Sequence, residues 1–222
     1  IDTERDMATL DPRSINSLDR SVVDNWSVSA GRVSDAFLAA TVTLPLALNL
    51  IDVLGKNADG LTGFGKDALI LMETAAVNCI VFNLSKFTIK RPRPYAYNQS
   101  LTLDERGDDN ASLSFFSGHT SLAFSMATAY SYLYMKRHPD SSLVIPDWLG
   151  SHALAASTAY LRVHAGKHFW TDVMVGAVVG SAIGFLVPYL HTPDHDRDGP
   201  GRFMATPMYH EGGFGFLATW TF

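Results

Sequence analysis

Three long apolar runs constrain this chain more than anything else in it. They cover residues 33–54, 67–89 and 167–190. None alternates with the two-residue period of a strand, and each is long enough for several helical turns, so each reads as an α-helix. Pro45 predicts a kink in the first and Pro188 an end to the last, because proline cannot continue the backbone ladder. The Gly-, Asn- and Asp-rich stretch 55–65 reads as a loop. The "RPRP" at 91–94 stops the second helix. Residues 117–137 and 148–162 add two more helices, and the expected fold class is mainly α, a helical bundle.

The charge content says what such a bundle touches. At 18% charged residues the chain falls below the soluble average of about a quarter. Its helices must therefore be buried on most sides or meet lipid. Several approach the ~20 apolar residues that span a bilayer. Asp35, Asp52, Glu73, Asn78 and Asn83 interrupt them, however, and charge is costly at membrane depth. The expectation is a water-soluble or peripherally membrane-bound bundle rather than an integral one. Gly176, Gly180 and Gly184 recur every fourth residue, a stripe that lets helices approach closely in either setting. The net charge of −5 excludes nucleic acid as a bulk partner.

Residues 17–27 read as a surface helix at the core's edge, and 95–114 as a long polar loop that is functional or mobile. The tail differs. Phe214, Phe216, Ala218, Trp220 and Phe222 alternate at strand period, and residues 204–209 can pair with them as a β-hairpin. The expected organisation is a helical domain over 1–201 with a hairpin appendage over 202–222. The start at Ile1 reads as that of a mature exported protein, in a bacterial periplasm and in contact with the membrane surface.

There is no Walker loop, no glycine-rich dinucleotide turn and no nucleophile elbow. The chemistry lies in three polar clusters. In the first, residues 86–94, four cations fall within eight positions. Lys86 and Arg93 at the end of an apolar helix serve either its dipole or an anion. In the second, "FFSGHTS" at 115–121, Ser117 is a natural N-cap and Gly118 allows close backbone approach. Plain capping explains the fragment best and an anion site is the rival, but capping leaves His119 unexplained. The third is "RVHAGKHFWTD", residues 162–172. His168 and Asp172 stand four apart at a helix start, so the carboxylate can accept the imidazole N–H, fix its tautomer and make the other nitrogen more basic. Arg162 can fork onto two oxygens of one phosphate. His164 and Lys167 read as bystanders. Such a density of cations repels a metal and attracts an anion, so no metal is expected there. Residues 194–199 begin like a calcium loop, but Ala205 stands where its closing glutamate belongs.

Together the clusters resemble the signature of the type 2 phosphatidic acid phosphatases, shared with bacterial class A acid phosphatases and vanadium haloperoxidases: K-x6-RP, PSGH and SR-x5-H-x3-D. Lys86-x6-Arg93-Pro94, Ser117-Gly118-His119 and Arg162-x5-His168-x3-Asp172 match in order. Phe116 replaces the proline and Leu161 the serine, which touches the loop before Ser117 and one hydrogen bond near Arg162. The resemblance implies the fold of that family. It implies that His168 attacks phosphorus, Asp172 orients it, and His119 protonates the leaving oxygen and later activates water. It implies that Lys86, Arg93, Arg162 and the amides of Ser117 and Gly118 hold the phosphate, with no cofactor. Phosphate or vanadate could occupy such a site. The expected substrate is a lipid phosphate or diphosphate. The alternatives are a small phosphate ester, as for a broad-specificity soluble acid phosphatase, or halide oxidation by a vanadium haloperoxidase.

Overall fold

A computed structural model describes residues 10–55, 60–107 and 110–192, together with the backbone of 202–210 and 213–221. Five long helices form the first unit: α1 (Val28–Leu54), α2 (Gly60–Ile89), α3 (Gly118–Arg137), α4 (Val144–His164) and α5 (Trp170–His191). The chain divides into two compact units, Ile1–His191 and Thr192–Phe222. In the second, β1 (Arg202–His210) pairs antiparallel with β2 (Gly213–Thr221), with Met204 opposite Thr219 and Tyr209 opposite Phe214. The suspected calcium loop lies outside the described residues.

Local chemistry sets the helix starts. Ser27 accepts a hydrogen bond from the Ala30 amide and so starts α1 five residues before the apolar run begins. Ser117 does the same for α3 through the Thr120 amide. The glycine-rich stretch 60–65 is helical, not looped. Pro45 and Pro188 both lie inside helices, so α5 does not end at Pro188 but runs on to His191. The segment 17–27 is not a surface helix. Only Ser17–Arg20 is helical, and Val22, Val23 and Asp19 are buried. Val22 and Val23 pack with Ile15, Tyr97, Val163, Phe169 and Val173. The 95–114 stretch is likewise more built than expected, with short helices at Pro94–Tyr97 and Leu103–Arg106 and a capping box between Thr102 and Glu105.

Helix α3 is central and packs on each of the other four. Its most extensive interface is with α5, and the glycine stripe makes it. A Cβ at Gly176 would stand 2.9 Å from the Ser117 carbonyl oxygen, and at Gly180 and Gly184 it would collide with those of Ser121 and Ser125. Across the bundle α2 meets α3 through a hydrogen bond from Asn78 to the Ser121 hydroxyl, 2.8 Å.

The outer surface corrects the expectation of a water-soluble bundle. Helices α1, α2 and α5 are each long and apolar enough to cross a membrane. They leave Ile51, Leu61, Ile80, Leu84, Phe87 and Val178 facing outward, each at least 62% exposed. Apolar faces of that extent belong against lipid. The polar residues that argued otherwise are answered internally: Asn83 bonds the Cys79 carbonyl, Asp52 pairs with Arg137 and His138, and Glu73 pairs with His191. The chain is a membrane protein.

If the stripe sets the α3–α5 distance, Gly180→Leu should destabilise the protein by roughly 1–3 kcal/mol or more through overpacking. Gly65→Ala, where an added Cβ meets nothing within 4 Å, should be neutral or slightly stabilising. Thermal unfolding in detergent micelles reads both.

Candidate active site

Successive long helices run up and down, so the start of α1, the end of α2, the start of α3, the end of α4 and the start of α5 meet at one end of the bundle. Every candidate residue lies there. Lys90 adopts a left-handed conformation (φ 48°) that ends α2. Extended chain follows, tethered by the Arg93 amide to Ala111 and by the Ser114 amide to Arg91. After α4, Gly166 (φ 70°) turns the chain under Asn25, where a side chain would strike the Asn25 carbonyl. That turn delivers His168.

His168 is 1% exposed. Its Nδ1 lies 2.9 Å from the Ser114 carbonyl oxygen. A carbonyl can only accept, so Nδ1 carries the hydrogen and Nε2 is the free base. This differs from the expected His168–Asp172 hydrogen bond. Asp172 Oδ2 stands 3.7 Å from Nδ1 and is taken up by the Ser114 hydroxyl at 2.5 Å and the Phe169 amide at 2.9 Å. At 3.7 Å the carboxylate still favours a positive ring. Desolvation by burial holds the His168 pKa well below its usual 6.5, with Arg93 and Arg162 adding to the effect against the pull of Asp172. The ring is therefore neutral at physiological pH.

Arg91 holds Asp172 in turn. Its guanidinium donates to Asp172 Oδ1 at 2.6 Å and to Asp19 Oδ2 at 2.8 Å, and it lies over the Phe169 ring, 4.2 Å from the centroid. Asp19, fully buried, also accepts from the Thr171 amide (3.0 Å), the Thr171 hydroxyl (2.6 Å) and the Asn16 amide (2.7 Å). The N-terminal segment thus braces the start of α5. Arg91, Ser114 and Asp19 were not singled out from the sequence. Arg91 stood inside the basic cluster, but Ser114 acts partly through its backbone carbonyl, which no residue type signals.

Three cations gather near His168. Lys86, Arg93 and Arg162 are close enough to repel one another. Among the described residues neither Lys86 nor Arg93 has a carboxylate partner, and the Nε atoms of Arg93 and Arg162 are buried without an acceptor. Arg162 donates to the Ser34 hydroxyl and to Asp35 Oδ1, both at 3.2 Å. Ser34 on α1 thus supplies a hydroxyl to Arg162, beside the Leu161 that breaks the motif. His119 Nε2 lies 2.8 Å from the same Asp35 oxygen. Asp35 was read from the sequence only as a charge interrupting an apolar run.

Ser117 departs from its expected role. Its amide donates to the Asp172 carbonyl at 3.1 Å and its hydroxyl oxygen caps α3, so it joins α3 to α5 and its amide is not free to hold phosphate. Gly118 and His119, the next two residues, have first-turn amides without an intrahelical acceptor. Phe116 is buried, and the Phe115–Phe116 peptide is cis. Lys167 lies over Trp26 and Tyr95, and His164 stacks on Tyr160. Among the described residues no three His, Cys, Asp or Glu side chains come together as a metal site would need.

Asp19 yields a prediction. Burial alone would raise its pKa, but hydrogen bonds from Thr171, Arg91 and Asn16 hold it below the ordinary 3.8. A depressed carboxylate stabilises the fold fully above that ordinary value and loses the effect as pH falls through the depressed one. Asp19→Asn should lower stability at neutral pH by about 2–3 kcal/mol, the scale of hydrogen bonds to a charged group. It should also flatten the acid limb of a plot of melting temperature against pH.

Known proteins resemble this chain in fold and in sequence. A structure titled as the first transmembrane PAP2 type phosphatidylglycerolphosphate phosphatase from Bacillus subtilis matches with a TM-score of 0.57 at 21% identity, over 89% of this chain and 92% of that one. It shares the fold. A stretch of 81 residues is 35% identical to a lipid A 1-phosphatase from Porphyromonas gingivalis. That stretch is 36% of this chain, which spans 17% of the relative's length. The family model described as the PAP2 superfamily matches residues 67–196, which hold all three clusters from Lys86 to Asp172, and the chain belongs to that superfamily.

Proposed function

We propose that the protein is a metal-independent phosphatase that hydrolyses a lipid phosphate through a phosphohistidine intermediate. The observation that carries this reading is the pairing of a buried, neutral His168 with Lys86, Arg93 and Arg162, of which, among the described residues, only Arg162 meets a carboxylate, that of Asp35. A phosphate group supplies the missing negative charge and places phosphorus against the free imidazole nitrogen.

The residues divide the work as follows. Nε2 of His168 attacks phosphorus, and the bond from phosphorus to the lipid oxygen breaks. His119, as the imidazolium, gives its proton to that oxygen, and the lipid alcohol leaves. The ring, now positive, keeps its Nδ1–H bond to Ser114 and is stabilised by Asp172 at 3.7 Å. His119 then takes a proton from water. The resulting hydroxide attacks phosphorus and releases inorganic phosphate and neutral His168. Arg93, Arg162, Lys86 and the Gly118 amide hold the phosphate oxygens throughout. The lipid-facing surface of α1, α2 and α5 favours a lipid substrate over the small ester of a soluble acid phosphatase, because a membrane bundle meets its substrate in the bilayer.

A substrate panel on the detergent-solubilised protein tests this, with a long-chain lipid phosphate and a small water-soluble phosphate ester side by side. His168→Ala should abolish turnover. His119→Ala should slow it by about 10²–10⁴-fold, the range of general acid–base catalysis. Acid-quenched labelling should find phosphate on His168 and not on His119. Retained activity in His168→Ala, or label on His119, would overturn the assignment. Equal or better turnover of the small ester would remove the lipid preference.

A further inference from the structure

Asp35 lies on α1, outside the 67–196 span that the family model matches. It holds a peculiar position. Its Oδ1 accepts from Nε2 of His119 at 2.8 Å and from a terminal nitrogen of Arg162 at 3.2 Å. Because a carboxylate oxygen only accepts, Nε2 of His119 carries a hydrogen; the ring can give up a proton to a leaving group only as the imidazolium, the form that the Asp35 carboxylate favours. These two donors are the ones that, under the proposed function, face a bound phosphate and its leaving oxygen. The Nε2–H of His119 and the Arg162 nitrogen that Asp35 engages cannot turn fully to a phosphate while Asp35 holds them. The two anions also repel each other at this range.

Asp35 is built to move where its neighbours are not. Its side chain is 60% exposed, against 8% for Arg162. It lines a cavity of about 200 Å³ with Trp26, Gly31, Arg32, Arg162 and Lys167. Arg32, one turn earlier on α1, and Lys167 offer a displaced carboxylate positive charge in that same space. Two other carboxylates of this end are fixed: Asp172 and Asp19 are both fully buried and tied to Arg91.

We propose that Asp35 is a displaceable counter-ion of the phosphate site. It holds His119 and Arg162 in register, yields them to the phosphate of the substrate, and returns to help expel inorganic phosphate at the end of turnover. This rests on the proposed function for its substrate, but its central claim is competition between two anions, which is measurable without turnover. Asp35 is a positioning residue in this scheme and takes no part in bond making.

The test is orthovanadate binding to the full chain in detergent, followed by ⁵¹V NMR, beside inhibition by inorganic phosphate. Asp35→Asn keeps the shape and removes the charge. It should bind orthovanadate about fivefold more tightly, the scale of one exposed ion pair. It should also lower KM and slow kcat, since product leaves less readily. Asp35→Glu, which keeps the charge, should stay near wild type. A residue that merely supported the fold would weaken binding when replaced. Unchanged or weaker orthovanadate binding in Asp35→Asn therefore overturns the proposal. If Asp35→Asn is not recovered folded, Asp35→Ala carries the same expectation and the same overturning result. Tighter binding in a protein that hydrolyses no phosphate ester would sink the proposed function and leave the counter-ion role standing. Normal hydrolysis without tightening would do the reverse, and a wild type that binds no orthovanadate would sink both.

Discussion

The contact on which the rest depends is that between the glycine edge of α5 and the backbone of α3. Helix α5 carries Asp172 in its first turn, with His168 just before it, while α3 carries His119 and is preceded by Ser114. The spacing of the two helices therefore sets the spacing of the groups that bear the chemistry. Gly176, Gly180 and Gly184 let the carbonyls of Ser117, Ser121 and Ser125 sit where any side chain would stand. In lipid the hydrophobic effect does not drive helices together, so close packing and the few internal hydrogen bonds carry that load. The bond from the Ser117 amide to the Asp172 carbonyl fastens the same two helices at the level of the site.

The second constraint is electrostatic, and it separates the site into two halves. On one side Arg91 is answered twice, by Asp19 and by Asp172. On the other, among the described residues, Lys86, Arg93 and Arg162 meet one carboxylate, that of Asp35, which pairs with Arg162. His168 sits on the boundary. The satisfied half fixes the geometry of the ring, and the unsatisfied half creates the demand for an anion. Charge that is balanced in one place and left unbalanced a few ångströms away is how a buried site stays rigid and still binds strongly.

Much of this was legible in the sequence, for identifiable reasons. The helices announced themselves by length and apolarity, and the cluster spacings placed Lys86, Arg93, His119, Arg162, His168 and Asp172 at helix ends that an alternating bundle must bring together. Boundaries were less legible. Glycine-rich 60–65 is helical despite its composition, and Pro188 is carried inside α5, as the helices of a membrane bundle tolerate. The membrane itself was misjudged because Asp52, Glu73 and Asn83 looked costly one at a time, whereas folding gives each a partner. The parts of the site that stayed hidden reach it across large sequence separations. Asp19 meets Thr171 and Asp35 meets His119, and Ser114 contributes a carbonyl that every residue has.

At the far end of the bundle, Arg137 closes α3 and ties to Asp52 and Asn49 on α1 and to Asp67 on α2. That belt and His119 belong to one uninterrupted helix, α3, of 20 residues. At about 1.5 Å per residue that is about 30 Å, close to the hydrocarbon thickness of a bilayer. Helix α3 thus acts as a ruler. With both of its polar ends drawn to water, the height of His119 above the membrane midplane is fixed by the length of the helix beneath it. A bilayer thinner or thicker than that length would tilt the whole bundle and raise or sink the site relative to the layer of lipid head groups.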